Sequence, residues 1–417
     1  MVEGYKSLVV VIPTRNRAQL AIGAIESVLS QEVDNVRVLV SDNSTIQEEV
    51  ALLSRYCERL QDERLRYLAT STDLPMSPHW DWAMMQALQS DATHFTVLTD
   101  RMVFRPDELG PLIEHVKRHA ASVLSYKHDK VIDYKRPIKL ALQPWTGDLF
   151  EVRAERLLAL TAQCLMHECL PRMLNCVVPR SLLEKIETQF GTIFGSVAPD
   201  FNFCYKALAL EDVILFFDKA ILIHRALDRS NGETLASGFR VRDHADFLTS
   251  IRFEQMNFLT PVPQIRTRFN FIVNEYCLIR KESGSGKFPE LDRDNYLQFL
   301  ATELSECEDQ NFKNEMMEIL RSHGWEQPAA TKEQPDSSSK KLGLTAKLRN
   351  GLTKRLPSAR AKQVAIAPSE IDGLEFDDSH AALTYAFRFP RQPDTVLLDQ
   401  QTMLEAKQIG IANQSRA

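Results

Sequence analysis

Three aspartates stand where an α/β chain usually does its chemistry. Asp42 ends the run VRVLVSD, Asp100 ends HFTVLTD, and Asp200 opens the helical run DFNFCYKALAL. A carboxylate at a strand end accepts N–H or O–H donors, which at Asp42 suits a base or a ribose. A strand ending in acids commonly holds a cation. Here, however, Arg101 follows Asp100 where a second acid is expected. A guanidinium matches phosphate geometry in a bidentate way and never loses its charge. Arg15 and Arg17, in PTRNR, could meet an anion as well. No GxGxxG follows the first apolar run and no GxxxxGK[ST] occurs, so dinucleotide redox chemistry and P-loop hydrolysis lack their phosphate cradles.

The elements that must position these residues are legible as alternating runs. SLVVVIPT (Ser7–Thr14) is continuous, apolar and β-branched, and predicts a strand buried on both faces. In RAQLAIGAIESVLSQ, Leu20, Ala24, Ile25, Val28 and Leu29 recur at helical spacing. Further strands are expected at VRVLVSD, RLRYL and HFTVLTD, with helices at Glu48–Leu60 and Trp80–Leu88 between them. Strand–helix alternation predicts a doubly wound sheet with right-handed crossovers, whose ligands bind outside the carboxyl ends of the strands. Thr14–Arg17, Asp42–Ser44 and Asp100–Arg101 would share that edge. Beyond it, ILFFD and AILIHRA predict a strand pair. The chain from Asp243 to about Trp325 reads mainly helical, broken at TPVPQ and ESGSGKFPE.

Composition narrows the classes. The 417 residues are 44% hydrophobic and 25% charged, with net charge −6, which is globular and no signature of a nucleic-acid binder. Seven cysteines without a CxxC pair argue against a disulfide scaffold or thiolate zinc site and fit a reducing cytoplasm. The first apolar run stops at Pro13, too short for a leader or a span of about 20 residues.

VVVIPTRNRAQLAIGAIESVLSQ followed by VRVLVSDNS resembles the amino-terminal half of the family 2 glycosyltransferases. MSPHWDWAM, VLTDRMVFRPDEL, APDFNFCYKAL and DRSNGETLASG extend the resemblance over roughly Leu8 to Gly238. It implies an α/β fold of GT-A type: a doubly wound mixed sheet like the nucleotide-diphospho-sugar transferases, followed by a mainly helical segment. It also implies transfer of a sugar, with inversion, from a nucleotide-diphosphate sugar to a saccharide or lipid-linked acceptor. A UDP-sugar is the commonest donor. Carried over, Pro13, Thr14, Asp42 and Asn43 line the nucleotide pocket, and Arg15 and Arg17 stand beside it. Asp100 falls in the DxD segment and Asp200 takes the place of the general base. Thr99 and Arg101 occupy the positions of the DxD acids, so a divalent cation (Mn or Mg) on Asp100 is in doubt. His224, in AILIHRA, is the candidate second ligand. Where Arg101 meets the diphosphate directly, metal dependence is weak or absent.

Each residue also has a plainer reading. Asp42 and Asp200 could cap the helices that follow them. Asp100 could pair with Arg101 or Arg105, Arg101 could face solvent, and His224 could be a satisfied core histidine. Trp80 and Trp82 read as packing residues. As whole-chain alternatives, a degenerate DxD suits a non-catalytic nucleotide-sugar-binding or assembly protein. A nucleotidyltransferase would need a glycine-rich loop that PTRNRAQL lacks.

The expected organisation is a catalytic domain over 1–240, a helical extension over 241–328, a basic linker or amphipathic helix over 329–369, and a weakly ordered tail over 370–417. Between Ser337 and Ser369 there are eight cations and no acid, which leaves the rest of the chain at −14 (−6 minus 8). Leu344, Leu348, Leu352 and Leu356 recur every fourth residue among these cations. That pattern suits a helix lying on an anionic membrane, so 340–362 is the expected contact at its inner face. A solvated linker or a helix docked on the acidic body is the alternative. An oligomer is compatible with all of this.

Overall fold

The computed structural model describes residues 4–133, 137–195, 197–226, 258–307, 309–326, 369–376, 378–388 and 405–411. The first half alternates as expected: β1 (Leu8–Thr14), α1 (Ala18–Leu29), β2 (Val36–Asp42), α2 (Gln47–Leu60), β3 (Leu65–Ala69), α3 (Met76–Leu88) and β4 (His94–Val97). The next elements are β5 (Met102–Phe104), α4 (Leu109–Arg118), β6 (Leu124–Ile132), β7 (Ile138–Leu142), β8 (Asp148–Arg153), α5 (Ala154–Ala162), β9 (Cys176–Pro179), α6 (Arg180–Phe190), α7 (Pro199–Leu210) and β10 (Val213–Ala226).

Among the described residues the sheet runs β12-β8-β10-β6-β9-β4-β1-β2-β3. Here β12 is Lys407–Ile411, and β11 (Ser369–Phe376) joins through β7. β1 pairs in parallel with β2 and β4, and β2 with β3, whereas β9 runs antiparallel to both β4 and β6. The sheet is therefore mixed, with helices packed on it, as the resemblance implied. All of β1 is buried. Its Val9 and Val11 enter one core cluster and its Leu8, Val10 and Ile12 the other. A strand feeding two cores needs the unbroken apolar run read from the sequence. Each such side chain contributes about 1.5–3 kcal/mol by leaving water.

Two expectations are corrected. ILFFD and AILIHRA form one strand, β10, instead of a pair. Both halves lie parallel to β6, with register shifts between Phe217 and Ala220 and between Ala220 and Leu222. Asp218, buried at this irregularity, accepts from Thr146 N at 2.8 Å and Thr146 Oγ1 at 2.7 Å, so the strand bulges there instead of reversing. α3 begins at Met76, four residues before Trp80, because Pro78 falls in a first turn whose N–H groups have no intrahelical partner anyway. Of the tail, 370–417, the described residues add strands and a helix. β11 pairs antiparallel with β7 and β12 with β8. α11 (Ser379–Arg388) packs Ala382 and Ala386 against Val103, Val131 and Ile223.

The extension folds as helices α8 (Arg268–Ser283), α9 (Arg293–Ser305) and α10 (Gln310–Ser322). Ile272, Tyr276 and Ile279 of α8 join the core that holds α7. The basic segment 340–362 and the DRSNGETLASG stretch lie outside the described residues.

Candidate active site

The carboxyl edge of the parallel strands gathers the candidates. Thr14 and Asp42 are register partners at the ends of β1 and β2. Asp42 is 1% exposed. Its Oδ1 accepts from Ser44 N at 2.9 Å and its Oδ2 from the Tyr67 hydroxyl at 2.9 Å. It lies on β2, and α2 starts beyond it with Ile46 as N-cap, so helix capping does not explain the residue. Asn43 fastens the neighbouring loop, donating Nδ2–H to Leu74 O at 2.7 Å and accepting from Leu74 N at 3.1 Å.

The PTRNR loop is built around Asn16, whose φ of 53° lies in the left-handed region that asparagine tolerates. Its Oδ1 accepts from Thr45 N at 2.8 Å and Ile46 N at 3.0 Å, tying the first strand end to the second. Arg15 points outward to Asp73 at 2.7 Å. Arg17 turns inward and stands 3.5 Å from Asp100. Pro13 is buried at the strand end.

β4 stops at Val97, and Asp100 sits in a tight turn closed by Met102 N donating to Thr99 O at 2.9 Å. Its Oδ2 accepts from the Thr14 hydroxyl at 3.0 Å. Burial pushes the Asp100 carboxyl up, opposed by the charges of Arg17 and Arg101 and by the Thr14 hydroxyl. Arg101 is held by its backbone, Arg225 N donating to its carbonyl at 2.9 Å, beside the His224–Met102 register pair of β10 and β5.

Asp200 is the second residue of α7, after Pro199, and Ala198 is the N-cap. The capping reading is not met: the N-cap is Ala198 and no side-chain hydrogen bond caps the helix, while the Asp200 carboxylate stands in the first turn near the amides of Asp200 and Phe201. Burial pushes its pKa up, and Arg172, those amides and Arg101 oppose the rise. Arg101 therefore reaches Asp100, Asp200 and His224 with its charge.

Several participants were missed. Arg172 lies 5.5 Å over the Phe201 ring, next to Asp200. His128, on β6, is 6.0 Å from His224 between ring centroids. Burial lowers the pKa of both imidazoles, with His128 brought to about 3, and Arg172 and Lys130 lower both further while Arg101 adds to this at His224. The His128 ring is thus neutral at ordinary pH. Among the described residues no three of His, Cys, Asp and Glu converge to hold a metal ion. Asp100 is engaged by Thr14 and Arg17, and His224 stands among cations, a donor set that suits an anion better than a divalent ion. Trp80 packs edge-on against Phe194 at 5.7 Å, and Trp82 is half-buried against the same core. A separate groove lined by Glu32–Arg37, Glu63 and Arg64 opens at the opposite edge and holds none of these residues.

Residues 9–174 match the family model described as glycosyl transferase family 2. WcaA of Escherichia coli K12, provisionally assigned as a colanic acid biosynthesis glycosyl transferase, is 31% identical over 137 residues. That alignment spans 32% of this chain and 47% of the relative, so the match covers about half of that protein's length. Among solved structures, S. aureus TarS 1–349 in complex with UDP-GlcNAc covers 76% of this chain and 88% of its own, at 14% identity and TM-score 0.43. The longer S. aureus TarS structure gives 14% identity and TM-score 0.41, covering 76% of this chain and 53% of its own. Asp200 and His224 lie beyond the stretch matched by the family model.

Proposed function

With residues 9–174 matching glycosyl transferase family 2, we propose that this chain is an inverting glycosyltransferase. It moves a sugar from a nucleoside-diphosphate sugar, a UDP-sugar first among them, to a hydroxyl of a saccharide or lipid-linked acceptor. What supports this reading is the strand edge that holds Asp42 and Asp100 together: Thr14 is the register partner of Asp42 and donates its hydroxyl to Asp100 Oδ2 at 3.0 Å.

Asp200 takes the proton from the acceptor hydroxyl while that oxygen bonds to the anomeric carbon. The bond from this carbon to the phosphate oxygen breaks on the opposite face, and its electron pair leaves with the nucleoside diphosphate. Burial raises the affinity of Asp200 for the proton, and Arg172 limits that rise. Pro13, Thr14, Asp42 and Asn43 line the nucleotide, with Arg15 and Arg17 beside it. Arg101 answers the charge on the departing diphosphate, and Asp100 is the anchor that Thr14 and Arg17 hold in place. This route assigns no step to a divalent ion on Asp100 and His224. No helix among the described residues is long and apolar enough to cross a membrane. Work at the cytoplasmic face, with contact through 340–362, belongs to the proposal.

The test is nucleotide release from UDP-glucose, UDP-N-acetylglucosamine, GDP-mannose and dTDP-glucose by the wild type and by Asp200→Asn. Loss of the base should lower turnover by about 10²–10⁴-fold with nucleotide binding kept. Equal turnover in the variant would sink the assignment of Asp200. A wild type that binds a donor and never releases its nucleotide is instead a binding or assembly protein, the reading that Arg101 in place of an acid favours.

A further inference from the structure

We propose that Glu275, on α8 of the extension, is the positioning residue for Asp200; the inference rests on Asp200 being the base. Glu275 is 0% exposed. Its Oε1 accepts from Val197 N at 2.9 Å and Ala198 N at 3.1 Å, and its Oε2 from Asn202 Nδ2 at 2.8 Å. These three donors bracket Asp200 on both sides.

The local sequence explains why outside help is needed. Pro199 offers no N–H, and Ala198, the N-cap, has no side chain with which to cap α7. The N–H groups of Val197 and Ala198 are left over, and a carboxylate is the strongest acceptor for two of them at once. Gly195 makes the room: a Cβ there would sit 3.0 Å from Asn202 Oδ1 and 3.1 Å from its Nδ2. Further back, Asp81 Oδ1 accepts from Ile193 N at 2.8 Å and Phe194 N at 3.0 Å, so the approach to the base is fastened from α3 as well. Glu275 is the fastening nearest the base, and it comes from a helix outside the stretch matched by the family model. The extension thereby completes the site. Burying a carboxylate costs several kcal/mol unless it is fully hydrogen-bonded, so a packing role alone would be better served by an apolar side chain.

Glu275→Gln keeps the shape and sets an amide against the Asn202 amide. The expected result is a fall in nucleotide-release kcat of about 10²-fold, the scale of a misplaced catalytic group, with donor KM and UDP affinity within about twofold. Adding Asn202→Asp restores a donor–acceptor pair in the reversed sense and should recover at least about tenfold. Gly195→Ala presses Asn202 from the other side without touching the buried charge, and should give the same split of kcat from KM. It serves should the Glu275 variants fail to fold. Wild-type kcat in Glu275→Gln, or no recovery in the double variant, overturns the inference while Asp200→Asn still lowers turnover by about 10²–10⁴-fold. A wild type without turnover removes the parent reading instead.

Discussion

Replacing Lys127 by methionine should unfold this protein more readily than any surface change could. Lys127 is 1% exposed, and its Nζ lies 2.5 Å from Asp218 Oδ1 and 3.1 Å from Glu168 Oε1. It also donates to Pro144 O at 2.6 Å. Methionine fills the same space, so little cavity cost enters. What remains is Asp218, 0% exposed, with its counter-charge gone. Removing one partner of a buried pair costs about 3–5 kcal/mol, a large share of the roughly 5–15 kcal/mol that holds a protein folded. The assay is urea unfolding followed by tryptophan fluorescence. Trp145 is a suitable reporter, because Lys219 stands 5.6 Å over its ring in the loop that this network secures. With a slope of about 2 kcal/mol per M, the midpoint should fall by roughly 2 M. Burial already raises the Glu168 pKa and Lys127 opposes that rise, so without the lysine the Glu168 carboxyl has a folded pKa further above its unfolded one. The variant's deficit is therefore smallest below about pH 4, the unfolded value of a glutamate, and widens as pH rises from there through the folded pKa of Glu168. Adding Asp218→Asn removes the orphaned charge and should return part of the loss. A Lys127→Met midpoint within about 0.3 M of wild type, flat with pH, would refute the argument that this charge pair is indispensable.

Arg172→Met removes the largest charge opposing the rise at Asp200, so the acid limb of the pH–rate profile should move to higher pH; a superimposable profile would separate Arg172 from the base. Tyr67→Phe deletes the 2.9 Å bond to Asp42 Oδ2 and should cost about 1.5–3 kcal/mol of stability, the scale for a hydrogen bond to a charged group, checked by urea denaturation. Nucleotide release measured across EDTA and Mn²⁺ titrations should stay level, because Arg101 answers the diphosphate; complete loss in EDTA would end that view.

How much could be read in advance depended on whether a residue's role followed a period. β1, β2 and their aspartate or threonine ends were legible because a two-faced buried strand must be apolar throughout and must then stop. Asp42, Asp100 and Asp200 were visible for the same reason, as charges where such runs end or a helix begins. Arg172 was not, because it lies between α5 and β9 in a segment with no repeat, and only folding brings it over Phe201. His128 left no signal, because it sits in the polar run Lys127–Lys130 of β6, where one more polar residue does not stand out. Glu275 left a clearer one, since Asn270, Asn274 and Glu275 interrupt the buried face of α8. A polar side chain in an apolar stripe demands a partner, and Glu275 finds its partners in the loop before Asp200. The strand pair was misread because Asp218–Lys219 resembles a turn locally, whereas the buried lysine of β6 that holds Asp218 in the sheet is distant in sequence.

The sheet contacts of the carboxyl-terminal residues change what a deletion would mean. Arg105, paired with Asp129, also donates to the carbonyl of Ala386, and Ser379 donates to Asp133 at 2.5 Å. Shortening the chain at 337 would therefore strip two edge strands and bare the apolar residues Val103, Val131 and Ile223, inviting aggregation whatever the basic stretch does. Vesicle sedimentation of such a fragment could report stickiness of the damaged body. Excising 337–368 and rejoining the flanks keeps every residue of both strands, so that a loss of affinity for anionic lipid, with the urea midpoint unchanged, belongs to the excised segment.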